Sequence, residues 1–110
     1  MFRVMELRDG KVDLFEGTEH VGPPPAGVVR WVDLRTQDEA QLELLRERFN
    51  FHPLAIEDCA HEDQRPKLEE YKDHIFLVTQ GFACAGTRVE ALELQELHTF
   101  LGDGWMVTVH

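Results

Sequence analysis

Apolar positions fall in short runs separated by strong turn signals. Phe2 to Leu7 and Val12 to Phe15 read as two strands, and Asp9-Gly10 between them suits the positive φ of a tight hairpin turn. Gly22-Pro23-Pro24-Pro25 reads as a stiff loop, because proline lacks the amide that a central strand requires. Val28 to Leu34 is a third strand with Trp31 as its largest apolar anchor. Thr36-Gln37-Asp38-Glu39 has the form of a capping box, with Thr36 accepting from a first-turn amide and Glu39 reaching back. The helix that follows places Leu42, Leu45 and Phe49 on one face, turns Glu43, Arg46 and Glu47 elsewhere, and should stop near Asn50. Pro53 suits the first turn of a second short helix carrying Leu54, Ile56, Glu57, Asp58 and Cys59.

Beyond Gln64-Arg65-Pro66-Lys67 the period changes to that of strands. Leu68 to Tyr71 and His74 to Ala83 read as strand, turn, strand, and the unbroken run Ile75 to Val78 suggests a strand covered on both faces. A turn at Ala85-Gly86 leads to a strand over roughly Val89 to Leu101, and Gly102-Asp103-Gly104 turns the chain into Trp105 to Val109. Strands, two helices and then antiparallel strands predict an α/β (α+β) fold. Trp105 to Val109 is apolar enough to lie inside a sheet, which predicts a natural continuation beyond His110.

A length of 110 residues supports one hydrophobic core rather than two. Twenty-one acidic against eleven basic residues give a formal charge of -10. Such a surface repels phosphate backbones, which excludes nucleic acid as a natural partner, and it gathers cations; it also serves solubility alone. Cys59 and Cys84 stand far apart in no metal or redox spacing and read as reduced cytosolic thiols. The N-terminus has no signal-peptide core, and no apolar run is long enough to span a bilayer.

The densest polar constellation is His52, Glu57, Asp58, His61, Glu62 and Asp63. Carboxylates suit Mg²⁺, and imidazoles added to them suit Zn²⁺ or other transition metals. On a helix Glu57 and Asp58 each share a face with His61. No HExxH or comparable signature is present, and the competing reading is a solvated helix end with His52 as its cap. No Ser-His-Asp or Cys-His arrangement and no phosphate loop can be traced. Cys59 reads as a small buried apolar residue, and His20, His74 and His98 as structural. Arg65 and Lys67 flank a proline and are expected to pair with the local carboxylates.

Phe51-His52-Pro53-Leu54-Ala55-Ile56-Glu57-Asp58 followed by Gln64-Arg65-Pro66-Lys67-Leu68-Glu69-Glu70-Tyr71 closely resembles the HPLxxED…QRPKxExY signature of CorA-type divalent-cation transporters. Trp31-Val32-Asp33-Leu34 resembles the family's W-[IV]-[DN]-[IL] strand. His74 to Val78 and the segments Glu96 to Gly102 and Val107 to His110 resemble its later strands. The likeness runs in order from roughly Val28 to His110. It implies an N-terminal α/β/α sandwich with a mixed, largely antiparallel sheet over residues 1–110, on the cytoplasmic side of the cell membrane. That domain would precede a stalk helix and two membrane helices of a homopentamer that conducts Mg²⁺, Co²⁺ and Ni²⁺, with a related branch handling Zn²⁺.

By the same resemblance Asp58 falls on a regulatory cation-site aspartate, with Glu57 beside it, where Mg²⁺ bound weakly between neighbouring subunits keeps the pore closed. The chain holds neither the Gly-Met-Asn motif of the family's pore nor the stalk acid that completes that site, so membrane attachment and conduction would belong to a C-terminal continuation. Not an enzyme but a regulatory module is therefore the first reading. A free-standing metalloenzyme using His52, Glu57, Asp58 and His61, and an acidic interaction module without metal, are the alternatives.

Overall fold

The computed structural model describes residues 1–35, 38–61, 65–84, 86–87 and 92–110. In chain order the elements are β1 Phe2–Arg8, β2 Lys11–Glu16, β3 Val28–Leu34, α1 Glu39–Phe49, α2 Pro53–Ala60, β4 Lys67–Glu70, β5 His74–Cys84, β6 Leu92–Gly102 and β7 Trp105–Val109. The strands form one sheet in the order β2-β1-β3-β7-β6-β5-β4. Every neighbouring pair is antiparallel except β3 with β7. That parallel pair follows from the chain path: α1, α2 and the β4–β6 meander intervene before β7 returns beside β3. The class predicted from sequence, α+β with a mixed and largely antiparallel sheet, is the one observed.

Local chemistry accounts for the boundaries. Asp9 and Gly10 both have positive φ, 50° and 74°, as a two-residue type I′ hairpin requires. Asp103-Gly104 makes the β6–β7 turn, with Gly104 at φ 75°. Gly102 is needed for space, since a Cβ there would stand 2.2 Å from the Trp105 indole. Helix α1 ends where Asn50 enters the left-handed region and donates its N–H to the Arg46 carbonyl. Thr36 and Gln37 lie outside the described residues. The cap seen is Asp38, whose carboxylate accepts from the Gln41 amide at 3.3 Å, so the helix starts at Glu39 and the capping-box reading is corrected.

Both helices pack on the same face of the sheet. Leu42, Leu45 and Phe49 of α1 and Ala55, Ile56 and Cys59 of α2 join Phe2, Val4, Val32, Leu34, Phe76, Val78, Phe100, Val107 and Val109 in one core. The described residues thus make two layers of the expected sandwich, and the opposite sheet face is open and largely apolar. Two expectations change with it. Of the run Ile75 to Val78 in β5, only Phe76 and Val78 point into the core, while Ile75 and Leu77 are half-buried on the open side. Trp31 is not a core anchor: 39% of it is exposed on the open face. Its indole N–H donates to Thr108 Oγ1 at 2.9 Å, and that hydroxyl donates to Asp33 Oδ1 at 2.6 Å. Thr108 faces Asp33 across the parallel strand pair, so the two motif segments meet there and tie β3 to β7.

A buried ion pair crosses the core face of the sheet. Arg30 of β3 donates Nε–H to Glu6 Oε1 of β1 at 2.8 Å, and its Nη2 lies 2.6 Å from the same oxygen. Its Nη1 donates to the Gly22 and Pro23 carbonyls, which fastens the proline loop to the sheet.

Candidate functional site

The site grows from the start of α2. His52 caps the helix with Nδ1 accepting from the Leu54 amide at 3.1 Å, and Pro53 takes the first position. Ala55, Ile56 and Cys59 face the core. Helical spacing then puts Glu57 out in solvent and leaves Asp58 at the margin of the helix, half-buried against β4. The two adjacent carboxylates therefore point apart.

Across from Asp58, β4 runs along the edge of the sheet. Lys67 and Glu69, two apart on a strand, project from its helix-facing side. The Lys67 ammonium lies 2.5 Å from Asp58 Oδ2 and 2.9 Å from Glu69 Oε1. The Tyr71 hydroxyl donates to Glu69 Oε2 at 2.8 Å. An ordered chain of charge therefore runs Asp58, Lys67, Glu69, Tyr71. Tyr71 in turn stacks between His52 and His74, with ring centroids 5.8 and 5.0 Å away. The His74 Nδ1 meets Asp73 at 2.6 Å, and its ring lies near those of Phe51, Phe100 and Trp105.

The protonation states follow from these contacts. Asp58, and after it Glu69, holds the Lys67 ammonium well above the usual lysine range. Lys67, and after it the Tyr71 hydroxyl, holds the Glu69 carboxyl below its usual range. Burial first, then the bond to Glu69, pushes the Tyr71 phenol up to about 12. At neutral pH Lys67 is thus an ammonium, Glu69 a carboxylate and Tyr71 a phenol. Burial, with Asp58 next to it, pushes the Cys59 thiol far up, so it packs as an apolar group and offers no nucleophile.

Beneath Lys67 lies a second buried feature. His98 of β6 is 2% exposed and stacks with Phe76, and its Nε2 stands 3.6 Å from Glu96 Oε2, too long for a hydrogen bond. Burial lowers the His98 pKa; Glu96, the Val109 backbone and Asp58 pull it upward, and Lys67 pushes it further down. The unfolded chain therefore binds the proton more readily than the native one. The stability that neutral His98 contributes is complete above the ordinary value of 6.5 and is lost as pH falls below it through the native pKa. The urea midpoint is expected to drop on acidification through that range, and more steeply in wild type than in His98→Gln. Parallel pH profiles for the two proteins would contradict this account.

Several residues singled out in sequence do not converge. Helix α2 ends at Ala60, and His61 is an exposed cap in extended conformation, so it leaves the helical face it was expected to share with Glu57 and Asp58. Glu62 and Asp63 lie outside the described residues. Among the described residues no group of three or more His, Cys, Asp or Glu side chains gathers to hold a metal ion. The four-residue metalloenzyme set is thus not assembled. His20 stacks on Phe15 at 3.9 Å, in keeping with a structural role. Lys67 pairs with carboxylates as expected. Glu69 and Tyr71, by contrast, had been given no role, although the spacing Lys67, Glu69, Tyr71 is that of one strand face.

The comparisons with known proteins bear on this geometry. A family model described as CorA-like Mg²⁺ transporter protein matches residues 26–110, which include α2, β4 and every residue of the charge chain. The chain belongs to this CorA-like family. YfjQ of Bacillus subtilis (strain 168), whose name assigns it provisionally to metal ion transport, is 41% identical over 80 residues, 73% of this chain and 24% of that protein. The complete CorA magnesium transporter from Methanocaldococcus jannaschii superposes with a TM-score of 0.74 at 11% identity, over 100% of this chain and 32% of that one. The ZntB cytoplasmic domain from Vibrio parahaemolyticus RIMD 2210633 gives a TM-score of 0.68 at 11% identity, over 98% of this chain and 43% of that one. At such identities the two structures establish the CorA fold and no more. The chain spans about a quarter or less of the length of the curated relatives it matches. The CorA-like family is one of transporters rather than enzymes, and no helix among the described residues is long and apolar enough to cross a membrane.

Proposed function

We propose that residues 1–110 form the N-terminal, cytoplasmic-side regulatory domain of a divalent-cation transporter, and that Asp58 is its sensing ligand, with Glu57 beside it. The observation that carries the reading is the position of Asp58: a half-buried carboxylate at the margin of α2, within the family-matched segment, held at a fixed place by its neighbours. The donor chemistry fits a hard cation, since carboxylate oxygen suits Mg²⁺ and also accepts Co²⁺, Ni²⁺ or Zn²⁺. One carboxylate is not a cage. A bound ion would complete its shell with water and with oxygens from a neighbouring subunit, which makes the binding weak and makes it depend on assembly, in the pentamer the family resemblance implies.

A divalent ion between two subunits converts carboxylate repulsion into attraction, so it favours whichever arrangement of the ring brings the carboxylates together. Because the ion binds the closed arrangement better than the open one, its occupancy sets the closed population. In the whole transporter, Asp58→Ala is expected to raise the internal Mg²⁺ concentration needed for closure by about tenfold, the usual scale of such coupling. Channel recordings at graded internal Mg²⁺ measure it. Gating identical to wild type would remove Asp58 from the sensing role.

A further inference from the structure

The Asp58 carboxylate already has a cation on it. Lys67 Nζ lies 2.5 Å from Oδ2, the oxygen region a Mg²⁺ ion would occupy at about 2.0–2.1 Å. An ammonium and a divalent ion cannot share that oxygen without bringing like charges into contact. The ammonium is also held by a second carboxylate, which would keep it if Asp58 were taken. Glu69 Oε1 is 2.9 Å from the same Nζ, and Glu69 is kept in place from its other oxygen by the Tyr71 hydroxyl. The lysine stem is flexible and about a third exposed, and β4 is an edge strand paired only with β5, so the ammonium, which lies 6.0 Å from the Phe76 ring centroid, can let go of Asp58 through its side-chain torsions without a change in strand pairing.

We propose that Lys67 is a tethered competitor at the cation site: it bridges Asp58 and Glu69 when no divalent ion is bound and withdraws from Asp58 onto Glu69 alone when one arrives. This rests on the reading of Asp58 as a cation ligand. Lys67 thereby sets the affinity, holding it below what Asp58 alone would give, and keeps the empty site ordered instead of leaving a bare carboxylate. Glu69 and Tyr71 act as positioning residues for the displaced ammonium.

The test is a MgCl₂ titration of the whole, assembled transporter carrying ¹³C-labelled aspartate and lysine, following the Asp58 carboxyl carbon and the Lys67 ε-carbon together. In wild type the two signals are expected to move with one binding curve. Lys67→Met is expected to bind about tenfold more tightly at Asp58, the scale of one charge-assisted hydrogen bond removed from competition. Glu69→Gln, which takes away the second carboxylate, is expected to bind more weakly than wild type. Lys11→Met, the same charge change on β2 at the far edge of the sheet, controls for the overall field and is expected to stay within about twofold. Adding Asp58→Asn to Lys67→Met is expected to abolish the gain.

Equal affinity in wild type and Lys67→Met, or a Lys67 signal that stays still while Asp58 binds, would overturn the competition and leave Asp58 as a ligand. An Asp58 carboxyl that responds in neither protein would overturn the ligand reading itself. A gain that survives Asp58→Asn would assign the effect to some other site and also defeat the proposal.

Discussion

Replacing Phe51 with alanine is expected to lower the stability of the fold by about 3–5 kcal/mol, the usual cost of deleting a fully buried aromatic ring. Phe51 sits between the two helices and its ring stacks on Phe100 of β6, with centroids 3.8 Å apart and planes 11° from parallel. Phe49, His74 and Trp105 close around the same ring at 5.1, 5.1 and 5.8 Å. No neighbouring side chain is free to fill the space, because each already packs against another member of the cluster. The change should also reach the candidate site. Phe51 immediately precedes His52, the cap that sets the start of α2, so loosening it should loosen the approach of Asp58 to Lys67. Urea unfolding of Phe51→Ala and Phe51→Leu measures the effect, and a loss under about 1 kcal/mol in the alanine variant would show that the stack does not organise the core.

Arg30→Met is expected to cost a similar amount, about 3–5 kcal/mol, for a different reason. The methionine keeps most of the volume and leaves Glu6 as a buried carboxylate with no counter-ion, and it also releases the Gly22 and Pro23 carbonyls. The side chains of Arg30 and Glu6 are only 10% and 6% exposed, so water does not screen the loss. The double variant Glu6→Leu with Arg30→Met removes the stranded charge as well, and is expected to recover most of the stability or exceed wild type. A single variant as stable as wild type, or a double variant no better than the single, would contradict a buried and electrostatically coupled pair.

The same ion pair explains where the sequence misleads. In β3 the inward set is Val28, Arg30, Val32 and Leu34, and the outward set contains Val29 and Trp31. By polarity alone the set with the indole reads as the buried one and the set with the guanidinium as the exposed one. The parity is reversed because Glu6 occupies the inward position directly opposite Arg30 on β1 and neutralises it there. A charged residue at the inward parity of each of two strands, opposite in sign, was the available signal. Ile75 to Val78 misled in a related way: a continuous apolar run suggests burial on both sides, whereas the outer members lie on a sheet face that the described residues leave half open.

What local chemistry determines was legible. The Asp9-Gly10 hairpin, the stop at Asn50, the proline start of α2 and the limits of β3 follow from turn, cap and proline rules that act over a few residues. The parallel partnership of β3 and β7 was not legible from periodicity, since nothing local specifies which distant strand lies alongside. Asp58 was found through its resemblance to a family signature and not through geometry. Its true neighbours, Lys67 and Glu69, sat in the second half of that signature at strand spacing, where the alternation would have placed them on one face.

The measurement that bears most directly on the central claim is paramagnetic broadening by Mn²⁺, a hard divalent ion that stands in for Mg²⁺, in the ¹⁵N-labelled whole transporter in its assembled state. If Asp58 is the sensing ligand, broadening should centre on the amides of Glu57, Asp58, Cys59 and Lys67 and should vanish from them in Asp58→Asn. Broadening spread over the acidic surface of this -10 chain, and indifferent to Asp58→Asn, would mean that cations are only gathered by charge and that the domain has no sensing site at α2.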